Sequence, residues 1–174
     1  MNKNQRTKSK NIFFLFLTFI LTTSFTIKTF KKVNENNLMI SGTKLISRQS
    51  ILNNSSLNLP KRLIFIKTKS IEKELLTKLA LKNISINRQL IPFGLKIRIE
   101  TRKPIAYCEK KVNDKLIKGY VDIEGYFIPN EFAEKNIDTQ KIKVTGWDKK
   151  YQTLISKILK FYYQNNYDLE LIKI

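Results

Sequence analysis

The chain has 174 residues, a net charge of +19, one cysteine and no histidine. The absence of histidine excludes the usual general base, the serine–histidine and cysteine–histidine nucleophile pairs and the commonest metal ligand. The single cysteine excludes an intrachain disulfide and a cysteine-rich metal site. Because the basic residues are scattered and do not alternate with aromatic ones, they indicate a solvated basic surface or attraction to an anionic lipid or polymer, and not nucleic-acid binding.

The first predicted element is an apolar helix near the N-terminus. Residues 12–30 would extend about 28 Å, at ~1.5 Å per residue, which is enough to cross the core of a bilayer. Lys3, Arg6, Lys8 and Lys10 precede this helix, and no acidic residue occurs before Glu35, which predicts a cytoplasmic N-terminus. We therefore predict a basic cytoplasmic tail at 1–11 and a membrane anchor at 12–30. The large apolar residues of the anchor between Ile12 and Ile27 are Ile12, Phe13, Phe14, Leu15, Phe16, Leu17, Phe19, Ile20, Leu21, Phe25 and Ile27.

A cleaved signal peptide and a buried core helix are alternative interpretations of this apolar stretch. A signal peptide ends its apolar region at a pair of small residues that form a cleavage site. Here the only small residues near the exit are Thr and Ser, and Lys28, Lys31 and Lys32 follow at once. An uncleaved anchor is favoured, provided that the Lys28 side chain extends to the membrane interface.

A β-α-α-β-β pattern follows a polar linker at 31–37. Apolar residues recur with helical spacing in the second helix and with a period of two in the last two strands, which predicts an antiparallel hairpin with one buried face. The predicted elements are a strand at Leu38–Ile40, a helix capped by Ser47 and ending near Asn54, a helix at Ser70–Leu81, and strands around Ile84–Ile86 and Leu95–Ile99 joined by the turn Ile91–Gly94.

From Pro104 onward the pattern predicts a second, antiparallel β-rich region with one amphipathic helix. Asp122 and Glu124 are interpreted as turn residues and not as a catalytic pair, and Cys108 as a small buried apolar residue and not a reactive thiol. The strands are predicted at Ile105–Cys108, Gly119–Asp122, Tyr126–Ile128, Lys141–Thr145 and Leu169–Ile174, with a loop at Lys110–Lys118. The helix places Tyr151, Leu154, Ile155, Ile158, Leu159 and Tyr162 on one core-facing stripe.

Five short motifs occur along this order of elements. They are Ile40-Ser-Gly42 before Leu45-Ile46-Ser47; Phe65-Ile66 before Ile71-Glu72 and Leu75; Ile84-Ser-Ile-Asn-Arg88 with Pro92 and Leu95; Arg102-Lys-Pro104-Ile-Ala106; and Tyr120-Val-Asp122 with Gly125 and Phe127. Together they resemble the bacterial division protein FtsQ, called DivIB in Gram-positive bacteria. Lys67 and Thr101 depart from the family pattern, which usually has acidic residues there.

The resemblance implies a membrane-spanning helix, a POTRA domain at 38–103 and a β-domain at 104–174. Arg102, Pro104 and Ala106 would form the hinge between the two domains. Members of this family continue with further strands after the one that matches Leu169–Ile174, so we expect the β-domain to be incomplete. Those later strands bind the coiled-coil partners FtsB and FtsL in the family, and this docking site is expected to be missing here.

By the same resemblance, the chain is expected to be a non-catalytic scaffold of the divisome. It would span the inner (plasma) membrane once, lie at the division septum, bind other division proteins and link them to septal peptidoglycan synthesis. We expect no cofactor, metal, nucleic acid or small-molecule substrate. A POTRA-containing factor for polypeptide transport or outer-membrane assembly is the alternative, although such proteins usually carry several POTRA units and a β-barrel. An anchored envelope enzyme is a third hypothesis, which the lack of histidine and of a nucleophile motif disfavours.

One strand is a candidate partner-binding edge. A partner peptide could pair with it by β-augmentation, in which an extended segment adds a strand to a sheet. The alternative is an ordinary half-buried strand. The residues of this candidate edge are Ile97, Arg98, Ile99, Glu100, Thr101 and Arg102.

Overall fold

The computed structural model describes residues 3–113, 115–134, 142–165 and 171–173. Within them, a long N-terminal helix precedes a three-stranded sheet with two helices and a five-stranded sheet with one helix. Each sheet has its own cluster of buried apolar side chains. The predicted α+β class, with an apolar N-terminal helix, is confirmed.

Helix α1 (Lys3–Phe30) contains the stretch predicted as the anchor. Its segment Ile12–Phe30 is long and apolar enough to cross a membrane, and none of it is buried against the protein. The Thr18, Thr23 and Thr26 hydroxyls each donate to a backbone carbonyl three or four residues earlier, at 2.8 Å. These bonds satisfy polar groups that a bilayer would leave without water. The basic residues of the predicted tail, Lys3, Arg6, Lys8 and Lys10, lie on the first turns of the same helix.

The stretch predicted as a polar linker is part of the folded unit. Strand β1 (Lys32–Val33) pairs antiparallel with β3 (Lys61–Arg62), and Val33 is fully buried in the first core. A 3₁₀ turn at Glu35–Asn37 then leads into β2. The polar composition of 31–37 predicted a linker because a two-residue strand has no periodicity to detect.

The first sheet has the predicted β-α-α-β-β order. It consists of β2 (Leu38–Ser41), α2 (Arg48–Asn53), α3 (Thr68–Lys78), β4 (Asn83–Leu90) and β5 (Phe93–Glu100). The strand order is β2-β5-β4, with β2 parallel to β5 and β4 antiparallel to it. Ser47 caps α2 as predicted, since its hydroxyl accepts from the Ser50 N–H at 3.1 Å. Between β3 and α3 the chain makes a 3₁₀ turn at Leu63–Phe65.

Helix α3 ends at Lys78, three residues before the predicted end. Ala80 adopts a left-handed conformation (φ 49°), while the Leu81 N–H donates to the Leu76 carbonyl and the Ala80 N–H to that of Thr77. This is a Schellman motif, which usually places glycine at the left-handed position. Because alanine, unlike glycine, does not mark the end of a helix in a sequence, this end was not predicted. Leu76, predicted on the buried stripe, is 38% exposed.

The second sheet combines an antiparallel half with a parallel half. It consists of β6 (Ala106–Val112), β7 (Lys115–Val121), β8 (Phe127–Pro129), β9 (Lys143–Thr145), helix α4 (Gln152–Asn165) and β10 (Leu171–Lys173), in the order β10-β9-β6-β7-β8. Strands β6, β7 and β8 are antiparallel, as predicted. Strand β9 runs parallel to both β6 and β10, so the wholly antiparallel prediction is wrong. Helix α4 is the crossover that parallel neighbours β9 and β10 require.

Two further predictions in this region differ from the structure. The expected loop at Lys110–Lys118 is a continuous hairpin in which Val112 pairs with Lys115 and Asn113 takes a left-handed turn conformation (φ 47°). On α4, Ile155 and Leu159 are buried as predicted, but Leu154 is 49% exposed because it lies one residue around the helix from the buried stripe. Asp114, Lys141, Leu169, Glu170 and Ile174 lie outside the described residues.

Candidate interaction sites

The predicted partner-binding edge begins on the central strand of the first sheet. Strand β5 is the central strand of the first sheet, and both Ile97 and Arg98 pair with β2 on one side and β4 on the other. Glu100 pairs with Asn83, and its carbonyl accepts from the Lys82 N–H at 2.9 Å. A partner strand therefore cannot add to β5 at Ile97 or Arg98, and for these two residues the predicted edge is wrong. For Ile99, Glu100, Thr101 and Arg102 the partner-binding role stays a prediction. Alternating apolar residues show that a strand has one buried face, but they do not show its place in the sheet.

Strand β4 is an outer strand of this sheet, and side chains bind part of its free edge. The Ile86 N–H donates to Glu72 Oε1 at 2.7 Å, and Glu72 Oε2 pairs with Lys69 Nζ at 2.8 Å. The Arg88 guanidinium donates to the Ile66 carbonyl at 2.6 Å. The Ile86 N–H, which would otherwise be open to a partner strand, is thus bonded within the molecule, and the Arg88 bond ties β4 to the segment before α3.

Arg102 joins the two sheets. Its Nη1 lies 2.6 Å from Asp122 Oδ2 and 2.9 Å from Glu124 Oε2. The guanidinium also stacks over the Tyr126 ring, 3.7 Å from the centroid. The side chains of Arg102 and Asp122 are only 9% and 6% exposed, whereas that of Glu124 is 45% exposed. The predicted hinge residue therefore forms a buried ion pair with the turn of the second sheet.

The Asp122 turn is built to receive this cation. Asp122 Oδ1 accepts from the Glu124 N–H at 2.9 Å and from the Tyr126 N–H at 2.8 Å, which leaves Oδ2 for Arg102. Gly125 closes the turn at φ +76°, as its place in the Asp-x-x-Gly sequence predicts. This arrangement matches the interpretation of the acidic residues as turn residues.

The other two predicted hinge residues are buried. Pro104 lies between β5 and β6, and Ala106, fully buried, is the first residue of β6. Arg102, Pro104 and Ala106 thus lie together at the junction of the sheets. Their contribution to motion between the sheets stays a prediction.

A cleft of about 570 Å³ lies beside this junction, between the end of α3 and the second sheet. Lys78, Lys110 and Lys149 line it together with Phe127 and Trp147. Lys110 Nζ is 4.3 Å from the centroid of the Phe127 ring and 5.5 Å from that of Trp147, so its charge lies over aromatic faces. Sequence reasoning missed this grouping because the residues come from distant segments.

Cys108 is buried as predicted. Its thiol is fully buried in the second core, and burial raises its pKa from 9.0 to about 12. Because the thiolate is the nucleophilic form, this thiol is unreactive at neutral pH. Among the described residues there is also no group of three or more carboxylates, cysteines or histidines placed to hold a metal ion.

The family of FtsQ-type POTRA domains matches residues 34–102. This range covers the first sheet from the Glu35–Asn37 turn to Arg102. The chain carries an FtsQ-type POTRA domain. The match confirms the resemblance to FtsQ and DivIB over this part of the chain. Among curated proteins, none matches the chain.

Proposed function

We propose that this protein is a non-catalytic, membrane-anchored scaffold of the bacterial divisome. The observation that carries the proposal is the FtsQ-type POTRA domain at 34–102, which follows directly on a helix apolar enough to span a bilayer. Such a protein acts by holding recognition surfaces at one place in the cell and needs neither a nucleophile nor a cofactor. The buried thiol of Cys108 and the structural use of Asp122 are in keeping with that role.

In the proposed topology, α1 crosses the plasma membrane once and both sheets lie outside the cytoplasm. The four basic residues before Ile12, with no acidic residue among them, support this orientation. The partners would be other membrane-anchored division proteins, which would connect the scaffold to septal peptidoglycan synthesis.

The test is the location of the protein in dividing cells. A fluorescent protein fused before Met1 reports on the whole chain without depending on fluorescence outside the cytoplasm. We expect a band at the division site that appears as constriction begins, and filamentous cells when the protein is depleted. The matched control is the same fusion ending at Phe30, which keeps the anchor and lacks both sheets, and it should label the whole cell envelope evenly.

An even envelope signal from the full chain, at the level of the anchor-only control, would contradict the division role. Crosslinking in the same cells separates the alternative function. Recovery of division proteins supports the proposal, whereas recovery of nascent exported polypeptides would instead support a POTRA-containing transport or assembly factor.

A further inference from the structure

The surface of the POTRA domain next to α1 carries exposed apolar side chains. Ile91, at the tip of the β4–β5 hairpin, is 82% exposed, and Phe65 and Ile64, in the 3₁₀ turn before α3, are 55% and 40% exposed. Phe30, the last residue of α1, is 47% exposed. Large apolar residues grouped in this way on a folded domain indicate an interaction surface.

Short contacts fix this patch against the end of α1. The Leu63 N–H donates to the Lys31 carbonyl at 3.2 Å, so the turn that carries Ile64 and Phe65 is hydrogen-bonded to the residue that follows the helix. Lys31 Nζ lies 5.2 Å from the centroid of the Phe93 ring, two residues from Ile91. Helix α1 contacts both this turn and β4. Strand β1 begins two residues after the end of α1 and pairs with β3 just before the turn, so the connection between the helix and the patch is short.

The charges around the patch are almost all of one sign. Basic residues flank it at the end of α1, in β1, in β3 and before α3, and Glu35 is the only acidic residue between Lys28 and Lys67. These basic residues nearest the patch are Lys28, Lys31, Lys32, Lys61, Arg62 and Lys67. Apolar side chains surrounded by lysine and arginine match the interface of a leaflet that contains anionic lipid.

We propose that this patch, defined by Ile64, Phe65 and Ile91 with the basic residues around it, rests on the outer leaflet of the membrane that α1 crosses. A second copy of the chain is a poor occupant, because the same basic rim would face itself. The membrane surface lies beside the anchor, so lipid can cover the patch without a further protein partner. The POTRA domain is then held in a fixed orientation on the membrane and does not swing on a tether. This inference rests on the membrane anchor of the proposed function.

The experiment uses the full chain with Cys108→Ala and one new cysteine carrying an environment-sensitive fluorophore. The labelled positions are Ile91→Cys and Phe65→Cys in the patch, Phe16→Cys in the predicted span, and Leu116→Cys on the β6–β7 hairpin. Leu116 is the matched control, because it is 59% exposed and apolar but belongs to the second sheet. Each protein is reconstituted alone into phosphatidylcholine vesicles with or without phosphatidylglycerol. Nitroxide quenchers are attached either to the lipid headgroup or to the middle of the acyl chain.

We expect headgroup nitroxides to quench the two patch probes by about twofold or more, since interfacial side chains reach only a few ångströms below the headgroups. The Phe16→Cys probe should respond most to the mid-chain nitroxide, and the Leu116→Cys probe to neither. Quenching of the patch probes should increase with phosphatidylglycerol and fall in the Lys61→Gln/Arg62→Gln variant. Circular dichroism checks that each variant keeps its fold.

The outcomes separate this inference from the proposed function. Patch probes that respond like Leu116→Cys, while Phe16→Cys is quenched from the acyl chain, overturn the membrane-resting patch and leave the anchor in place. If Phe16→Cys is not quenched, both the anchor and the inference are wrong. Quenching that does not depend on phosphatidylglycerol or on the two glutamine substitutions overturns the role of the basic rim.

Discussion

Replacing Arg102 with alanine is the most direct measure of how the two sheets are held together. In the folded protein, Arg102 Nη1 lies 2.6 Å from Asp122 Oδ2, and both side chains are nearly buried. Removing the cation leaves the Asp122 carboxylate buried with only two backbone N–H donors. Breaking a buried pair by removing one partner costs about 3–5 kcal/mol, and the two remaining donors place this variant near 3 kcal/mol.

Two further variants separate the parts of this energy. Glu124 is 45% exposed, so Glu124→Gln should cost about 0–1 kcal/mol, as solvent-exposed ion pairs do. Arg102→Lys keeps a cation near both carboxylates but loses the planar stacking over Tyr126, 3.7 Å away, and should cost about 1 kcal/mol. The expected order of destabilisation is Arg102→Ala, then Arg102→Lys, then Glu124→Gln.

The assay is urea unfolding of the full chain in detergent micelles, followed by tryptophan fluorescence and by circular dichroism. Trp147, the only tryptophan, donates its indole N–H to the Gly125 carbonyl at 2.9 Å and therefore reports on the turn that receives Arg102. Coincident transitions by the two signals would justify a two-state free energy of unfolding. A loss for Arg102→Ala no larger than that for Glu124→Gln would refute the argument that the buried pair holds the junction.

Three other predictions concern single sites. Glu72→Ala removes the acceptor of the Ile86 N–H in β4 and should cost about 1–3 kcal/mol of stability. Lys69→Ala removes the 90% exposed partner of the same ion pair and should cost less than about 1 kcal/mol, so equal effects of the two variants in urea unfolding would contradict this prediction. Gly125→Ala places a Cβ 2.2 Å from a backbone oxygen of α4 and should lose more than about 2 kcal/mol, whereas Gly146→Ala, at nearly the same φ but exposed, should lose only about 1 kcal/mol. Maleimide should modify Cys108 at neutral pH only after unfolding, and rapid labelling of the folded protein would show that the thiol is accessible. Because burial raises the pKa of this thiol from 9.0 to about 12, the contribution of Cys108 to stability should be constant below pH 9.0 and decline above it.

The sequence predicted the first sheet well because its signals are local. In the β4–β5 hairpin, apolar residues alternate on both sides of a turn at Ile91, so period and turn agree. The Ser47 hydroxyl caps α2 by accepting a hydrogen bond from the N–H of Ser50, three residues later, which is also a local pattern. The position of β5 in the centre of the sheet depends on its pairing with β2, more than fifty residues earlier, and a strand's own residues do not encode that pairing.

The elements that the sequence missed share a different property. The β1–β3 pair has two residues in each strand, so it has no periodicity, and only the burial of Val33 identifies it as structure. Ala80 ends α3 in a conformation that alanine rarely adopts. The ion pair between Arg102 and Asp122 spans twenty residues of sequence, and nothing at either position indicates its partner. Each of these depends on tertiary contacts that overrule the local preference of the residues.

The same contacts bear on how a scaffold of this kind works. A scaffold that only concentrates its partners tolerates a flexible connection, but one that orients them requires fixed junctions. In this chain a backbone hydrogen bond from Leu63 to Lys31 lies at the exit of α1, and a buried ion pair at Arg102 lies between the sheets. If bending at Arg102 breaks that pair at a cost of about 3 kcal/mol, the bent form is below ~1% of the population, because each 1.4 kcal/mol is about tenfold. The free energy measured for Arg102→Ala is an upper limit on this cost, because the substitution leaves Asp122 buried without a cation whereas bending exposes both charges to water. A value near 3 kcal/mol would favour orientation over tethering alone as the role of the proposed scaffold.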